Sequence, residues 1–105
     1  MLNYNAQSLI PAVIQDDETN AVLMLGYMNA ETLQKTKEIG QVVFWSRSRQ
    51  EVWHKGATSG DYLEVRSIKA DCEQNSLLIR VKMLGGAVCH TGAKACFFND
   101  VGEIA

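Results

Sequence analysis

The chain has 105 residues, of which 47% are hydrophobic and 21% are charged, and it carries a formal net charge of −2 at pH 7. This composition predicts one globular domain spanning residues 1–105 and excludes an intrinsically disordered chain. The weakly acidic balance also excludes nucleic acids and membrane surfaces as expected partners, because both attract strongly basic proteins.

The first two predicted elements are β-strands that form a hairpin. Residues 9–14 and 21–27 are apolar and rich in residues that favour strands. Residues 15–20 separate these runs and include two aspartates and an asparagine, which favour turns. We therefore expect two neighbouring antiparallel strands.

A helix is predicted for residues 30–39, directly after the hairpin. Asn29 provides an N-cap, and Gly40 provides a stop signal at the other end. Leu33 and Ile39 are the apolar residues that we expect to face the core. Because other segments lack this pair of end signals, we expect one principal helix.

Four more strands are predicted after the helix, because Val, Ile, Phe, Trp and Tyr recur there between glycine or polar clusters. In the third of them Leu63, Val65 and Arg66 point to conflicting faces, so its pairing register stays open. The fold class predicted from these elements is α+β, a β-rich antiparallel sheet domain with one principal helix. The four predicted strands are residues 41–46, 51–55, 61–69 and 76–84.

The chemistry of the chain is predicted to centre on three cysteines, Cys72, Cys89 and Cys96, which all lie in its last third. Their number is odd and no signal peptide precedes them, so we expect reduced thiols in the cytoplasm. Three thiolate ligands leave the fourth tetrahedral position of a zinc ion open for water, which is typical of catalytic zinc. The alternative for each cysteine is a packing role in the core.

Two of the cysteines share a short segment in which His90 follows Cys89 directly. Gly92 gives this segment conformational freedom, so it can fold back and direct the sulfurs of Cys89 and Cys96 at one ion. The spacing differs from the CxxC pairs of zinc ribbons, and it does not identify a metal site by itself.

Three blocks of sequence carry a family resemblance. The first is LGYMN at residues 25–29, the second holds FWSRSR and WHKGATSG within residues 44–60, and the third comprises DCEQN at 71–75 and CHTGAKAC at 89–96. Together they resemble the phosphoribosyl-AMP cyclohydrolase family, whose members open the adenine ring of N1-phosphoribosyl-AMP in histidine biosynthesis. The resemblance covers nearly the whole chain, and the combination of blocks is what makes it specific.

The resemblance implies a closely packed or intertwined homodimer with zinc at the subunit interface. Cys72 of one subunit would bind the ion together with Cys89 and Cys96 of the other. Dimerisation would also help a chain of this length, which buries only about two-thirds of its unfolded surface when it folds alone.

The resemblance also implies a magnesium site in the loop of residues 71–75, where the family pattern is D-C-D-x-D. Asp71 matches this pattern, whereas Glu73 and Asn75 replace two aspartates. Glutamate keeps the charge on a longer arm, and asparagine keeps an oxygen but loses the charge. We therefore expect weaker magnesium binding than the family pattern implies.

The implied reaction is hydrolysis of the N1–C6 bond of the purine by a water molecule that zinc has activated. His90 is the candidate for proton transfer, because histidine titrates near neutral pH. A fourth zinc ligand and a hydrogen bond that only orients the loop are the alternatives for His90.

The two phosphates of the implied substrate require charged groups, hydroxyls or backbone N–H groups. A solvated strand edge is the alternative for Arg47 and Arg49, which lie two residues apart. Trp45 and Trp53 could stack on the purine, although core packing is the expected role of large aromatic residues in strands. The residues assigned to phosphate binding are Arg47, Arg49, Lys55, Thr58, Ser59 and Gly60.

Two other functions remain open at this point. A zinc-dependent nucleobase deaminase would attack the same kind of carbon, but its H-x-E and P-C-x-x-C signatures do not occur in the sequence. A non-catalytic zinc-stapled dimerisation module would close its metal with a fourth ligand such as His90, and metal removal would unfold it.

Overall fold

The computed structural model describes residues 1–102, which form one helix and six strands. The hairpin, the helix and the four later strands all occur where the sequence predicts them, with ends that differ by a few residues at most. An α+β domain with one principal helix is therefore confirmed. In chain order the elements are β1 (Ile10–Asp16), β2 (Val22–Met28), α1 (Ala30–Ile39), β3 (Val43–Ser46), β4 (Glu51–His54), β5 (Leu63–Ala70) and β6 (Leu77–Met83).

The larger sheet has four strands in the order β2-β1-β6-β5. β1 pairs antiparallel with β2 and β5 pairs antiparallel with β6, but β1 and β6 are parallel. The predicted antiparallel pairing is therefore confirmed for β1–β2, β3–β4 and β5–β6 and is wrong for β1–β6. Antiparallel neighbours were predictable from the short turns that join them, whereas β1 and β6 are joined through all the elements between them, so no local signal sets their direction.

A β-bulge in β5 explains the conflicting side-chain pattern of the sequence there. Val65 pairs with Val81 and Ser67 pairs with Arg80, so Arg66 is an extra residue without a partner in the ladder. An inserted residue shifts the alternation of faces by one. The register that the sequence left open is therefore resolved by a bulge at Arg66.

The helix has the ends that the sequence predicts. The Asn29 side chain accepts a hydrogen bond from the Thr32 N–H at 2.8 Å, and the Asn29 N–H donates to the Thr32 hydroxyl at 3.0 Å. At the other end Gly40 has φ 71°, a left-handed conformation that suits glycine. Both end signals are therefore confirmed.

The buried face of α1 differs from the expected one. Leu33 is buried as predicted, together with Thr32 and Thr36, but Ile39 is 52% exposed, so its predicted core position is wrong. The Thr36 hydroxyl accepts a hydrogen bond from the Val43 N–H at 3.0 Å and thereby docks the helix on β3. Ile39 lies beyond this contact, in the last turn of the helix.

The β3–β4 hairpin forms a second, two-stranded sheet that lies against β2. The Val42 N–H donates to the Leu63 carbonyl at 3.0 Å and ties the entry of the hairpin to β5. The Phe44 ring occupies the space beside Gly26, where a Cβ atom would lie 2.5 Å from the ring. Gly26 therefore permits the close approach of hairpin and sheet that forms the pocket described below.

The helix found within residues 1–102 has 10 residues and is too short and too polar to cross a membrane.

Candidate functional site

Cys89 and Cys96 lie in one tightly turned loop. The N–H groups of Val88 and Cys89 both donate to the Ala93 carbonyl at 3.1 Å, and the Gly92 N–H donates to the Cys89 carbonyl at 2.9 Å. Gly92 has φ 88°, which few other residues adopt. Each of these thiols affects the pKa of the other, so the two side chains lie near each other. The loop therefore folds back as predicted, while the binding of one ion by both sulfurs stays a prediction.

The two thiols of this loop have different environments. A hydrogen bond of 3.2 Å from the Thr91 hydroxyl, with help from the Thr91 backbone, lowers the pKa of Cys89. Burial, and then the neighbouring Cys89, raise the pKa of Cys96. The Cys96 N–H donates to the Leu23 carbonyl at 2.7 Å, which fixes this part of the loop on β2. Cys89 is thus the thiol that ionises more readily.

His90 is exposed beside the cysteine pair. Its Nδ1 lies 4.0 Å from the Cys89 sulfur, which is a contact and not a short hydrogen bond. Its imidazole is therefore accessible to a group that approaches the pair from solvent.

Cys72 lies in the loop that joins β5 to β6, where it is exposed. One oxygen of Asp71 accepts hydrogen bonds from the N–H groups of Asn75 and Ser76 at 2.9 and 3.1 Å. The Asn75 amide nitrogen, in its hydrogen-bonding orientation, donates to the other oxygen at 2.9 Å. Partial desolvation would raise the pKa of Asp71, but the backbone hydrogen bonds from Asn75 and Ser76 outweigh it and lower the pKa.

The N-terminal segment donates hydrogen bonds to the backbone of the loop that contains Cys72. The Asn3 N–H donates to the Gln74 carbonyl at 2.7 Å, and the Asn3 side-chain amide donates to the Glu73 carbonyl at 2.9 Å. These bonds fix the backbone of the loop while leaving Cys72 and Glu73 exposed.

The two cysteine loops lie at opposite ends of the main sheet. Leu77, which follows the Cys72 loop, begins the β6 pairing opposite Ala12, near the start of β1. Leu23, whose carbonyl accepts the Cys96 N–H, lies between the Ile14–Met24 and Gln15–Val22 pairs, towards the end of β1. Within residues 1–102 no three His, Cys, Asp or Glu side chains come together as a metal site. The paired thiols fit zinc in ligand type, and Cys72, the third predicted ligand, does not join them in the described part of this chain.

A second feature is a cavity of about 480 Å³ between β2 and the β3–β4 hairpin. The Arg47 guanidinium lies over the Tyr27 ring, 3.9 Å from its centre. Trp53 is 41% exposed, so its expected core position is wrong, and Trp45 is only partly buried. The polar and aromatic residues lining the cavity include Tyr27, Trp45, Ser46, Arg47, Ser48 and Trp53.

The residues assigned to phosphate binding do not converge. Arg47 lines the cavity, whereas Arg49 is exposed and pairs with Glu51 at 3.9 Å. Both arginines are exposed, but they lie in the turn of residues 47–50 and not on the strand edge given as the alternative. Thr58, Ser59 and Gly60 lie in an exposed turn closed by a 2.7 Å bond from the Gly60 N–H to Gly56.

Lys55 joins the cavity to the cysteine loop. Its side chain is buried, its Nζ donates to the carbonyl of Val88, and Nζ lies 5.3 Å from the centre of the Trp53 ring. The residue before Cys89 and a residue of the cavity wall thus contact the same ammonium group. Lys55 therefore links the cysteine loop to one wall of the aromatic cavity.

Sequence reasoning gave no role to three residues of this site. Thr91 lies two positions after Cys89, a spacing at which a hydroxyl can reach back, so its hydrogen bond could have been anticipated. The contacts of Tyr27 with Arg47 and of Asn3 with the Cys72 loop join segments distant in sequence. Short-range sequence patterns do not predict such contacts.

Comparison with known proteins identifies a family over most of the chain. A family model described as phosphoribosyl-AMP cyclohydrolase matches residues 24–98. A phosphoribosyl-AMP cyclohydrolase of Streptococcus sanguinis is 58% identical over 93 residues, which are 89% of this chain and 81% of the relative. A phosphoribosyl-AMP cyclohydrolase of Trichormus variabilis is 48% identical over 100 residues, which are 95% of this chain and 86% of the relative. The histidine biosynthesis bifunctional protein of a Nostoc species is 48% identical over 103 residues, covering 98% of this chain and 48% of that protein.

The resemblance that rested on three blocks of sequence is confirmed by these matches, which extend over most of the chain. This chain belongs to the phosphoribosyl-AMP cyclohydrolase family.

Proposed function

We propose that this chain hydrolyses the N1–C6 bond of N1-(5-phosphoribosyl)-AMP and so opens its adenine ring in histidine biosynthesis. The observation that carries the proposal is that Lys55 links the cysteine loop to the aromatic cavity. The Lys55 ammonium group contacts the residue before Cys89, whose loop holds two thiols that suit a metal, and it also contacts Trp53, which lines an aromatic cavity large enough for a nucleotide.

The proposed metal is zinc, held by Cys89 and Cys96 of one subunit and by Cys72 of a second copy. Two observations support a shared site: the cysteine loops lie at opposite ends of the sheet, and no third ligand joins the pair within residues 1–102. When bound, zinc supplies the Lewis acidity that makes water nucleophilic near neutral pH. The three free thiols suit a reducing compartment such as the cytoplasm.

The proposed homodimer would cover apolar surface next to this loop. Phe97 and Phe98 follow Cys96 directly and are 65% and 55% exposed. Neighbouring exposed aromatic side chains are typical of interaction surfaces. A second copy docked here would bury them and bring its own Cys72 loop towards the pair.

The residues around the proposed metal would bind the purine and a phosphate of the substrate and would transfer protons. Trp53 and Trp45 would stack on the purine and hold C6 near the cysteine pair. His90 would take a proton from the attacking water and return one to the departing N1 nitrogen, because its exposed imidazole lies beside Cys89. Arg47 would bind a phosphate at the cavity mouth, with Ser46 and Ser48 as further donors.

Replacing Arg47 tests the phosphate assignment. Arg47→Lys keeps the charge but loses the flat guanidinium that stacks on Tyr27 and can bind a phosphate through two N–H groups. We expect KM to rise about 10- to 100-fold, since a hydrogen bond to a charged group contributes about 1.5–3 kcal/mol, while kcat changes little. Steady-state kinetics measure both constants. Arg66→Lys, in an exposed ion pair with Glu64, is the matched control, and an equal change of KM there would refute the assignment.

Magnesium at the 71–75 loop is proposed to bind weakly. Both Asp71 oxygens already accept hydrogen bonds, one of them from the Asn75 amide that stands where the family pattern has an aspartate. The amide donor offsets part of the Asp71 charge that would otherwise attract a cation. Glu73 is exposed and remains available as a ligand.

Asn75→Asp should convert this loop into a stronger magnesium site. The change removes the amide donor from Asp71 and adds a carboxylate, so Mg²⁺ affinity should rise about tenfold or more with the added ligand charge. Without magnesium the like charges should lower the thermal unfolding midpoint, and added Mg²⁺ should restore it. Calorimetric titration and thermal scans measure the two effects. Asn99→Asp, which adds the same charge at an exposed position, is the control and should show neither effect. The proposal would be contradicted if added Mg²⁺ did not change the unfolding midpoint of Asn75→Asp.

The function itself is tested with synthetic N1-phosphoribosyl-AMP. Reduced protein loaded with zinc should open the ring, with a change in ultraviolet absorbance, and chelation should abolish turnover until zinc is restored. Release of ammonia without ring opening would instead indicate a deaminase. Unfolding on chelation, with no turnover by any zinc-loaded sample, would indicate a zinc-stapled module.

A further inference from the structure

Lys55 has an unusual position for a lysine. Only 7% of it is exposed, whereas Lys94, in the cysteine loop itself, lies at the surface. Its place is set by the backbone, since it follows β4 directly and its N–H donates to the Val42 carbonyl at 3.1 Å. A buried ammonium group requires partners that replace water.

The partners of the Lys55 ammonium belong to the proposed catalytic site. Nζ donates to the carbonyl of Val88, the residue that precedes Cys89, and faces the Trp53 ring. Val88 is itself 2% exposed and packs in the core.

We propose that Lys55 is a positioning residue, which holds the cysteine loop through Val88 beside the aromatic cavity, and that it does not bind a substrate phosphate. The inference rests on the proposed function and deepens it. Hydrogen bonds to groups next to metal ligands orient those ligands. Three thiolates around one Zn²⁺ leave a net negative charge, which a buried cation offsets. Only 7% of Lys55 is exposed, so the surrounding side chains would have to move before a phosphate could reach its ammonium group.

Lys55→Met is the first test, because methionine keeps an unbranched side chain in the buried space and removes both the charge and the donor. We expect zinc affinity, measured by competition with a chromophoric chelator, to fall about 10- to 100-fold. With zinc at saturation, KM for N1-phosphoribosyl-AMP should stay within about threefold of wild type while kcat falls, because a positioning role does not act on ground-state binding.

Two further variants make the result specific. Lys94→Met removes the same charge from an exposed position in the same loop, and it should leave zinc affinity unchanged. Lys55→Arg keeps a cation and donors, so it should recover part of the lost affinity. An increase of KM for Lys55→Met with unchanged zinc affinity would overturn the inference and make Lys55 a phosphate-binding residue.

A measurement on the unmodified protein decides the case even if Lys55→Met does not fold. In brief acetylation followed by peptide mass spectrometry, Lys55 should react at least about tenfold more slowly than Lys94, because burial hides its amine from the reagent. Adding inorganic phosphate should not change this ratio, whereas chelation that releases the cysteine loop should increase Lys55 acetylation. Fast acetylation that phosphate suppresses would overturn the inference.

These readouts separate failure of the inference from failure of the proposed function. Zinc affinity and acetylation require no turnover, so they decide the role of Lys55 even if the wild-type protein does not open the ring. If the wild-type protein binds no zinc, the proposed metal is refuted, and the acetylation pattern alone decides whether Lys55 holds the loop.

Discussion

Mixing Cys72→Ser chains with Cys89→Ser chains should restore activity that neither variant has alone. In a dimer with shared sites, a heterodimer joins the intact Cys72 of one chain to the intact Cys89 and Cys96 of the other. One of its two sites is then complete and the other lacks two ligands. Because random exchange makes about half of the dimers mixed, about a quarter of the wild-type activity and of the high-affinity zinc sites should return.

The control for this experiment is a mixture of Cys89→Ser with Cys96→Ser. Both changes affect the same half of the site, so every site in every dimer stays defective and no activity should return. Native mass spectrometry verifies that heterodimers form in both mixtures. Equal recovery in the two mixtures, or none in the first despite heterodimers, would refute a zinc site built from two subunits.

His90→Ala should slow the reaction strongly while the protein still binds zinc. A positioned acid–base group contributes typically 10²- to 10⁴-fold to rate, so we expect kcat to fall by about that factor. His90 is exposed, and its nitrogen lies 4.0 Å from the Cys89 sulfur, so its loss should not disturb the cysteine pair. Zinc content measured beside kcat separates proton transfer from ligation, and added imidazole should restore part of the rate.

His54→Gln is the matched control for this variant. His54 is partly buried, with its Nε2 2.7 Å from the Gln41 side-chain oxygen, and glutamine keeps a donor near that position. Its kcat should stay close to that of the wild type. Loss of zinc from His90→Ala would make His90 a ligand, and an unchanged rate would remove it from the mechanism.

Local sequence signals predicted much of this fold. Asn29 and Gly40 marked the ends of the helix, and the polar residues 15–20 marked the first hairpin, because caps and turns depend on residues only a few positions apart. Gly92 likewise predicted the turn that unites Cys89 with Cys96. The parallel pairing of β1 with β6 lay outside such signals, since the strands are far apart along the chain.

The roles of charged residues were predicted less well than the elements. Arg47 and Arg49 share a residue type and one turn, yet one stacks on Tyr27 and the other pairs with Glu51 in solvent. Trp53 was expected in the core and lines a cavity instead. Burial of a long side chain depends on which distant segments fold over it, and composition does not encode that.

The sequence by itself determined the family, the order of the elements and the set of three thiols that suit a metal, because residue types and short-range spacing carry that information. Only the tertiary structure decided which groups meet. It placed Cys72 at the opposite end of the sheet from the other cysteines and buried Lys55 between Trp53 and Val88. The physical reason is that such contacts arise where strands distant in sequence pack together, and their geometry is set by the whole core.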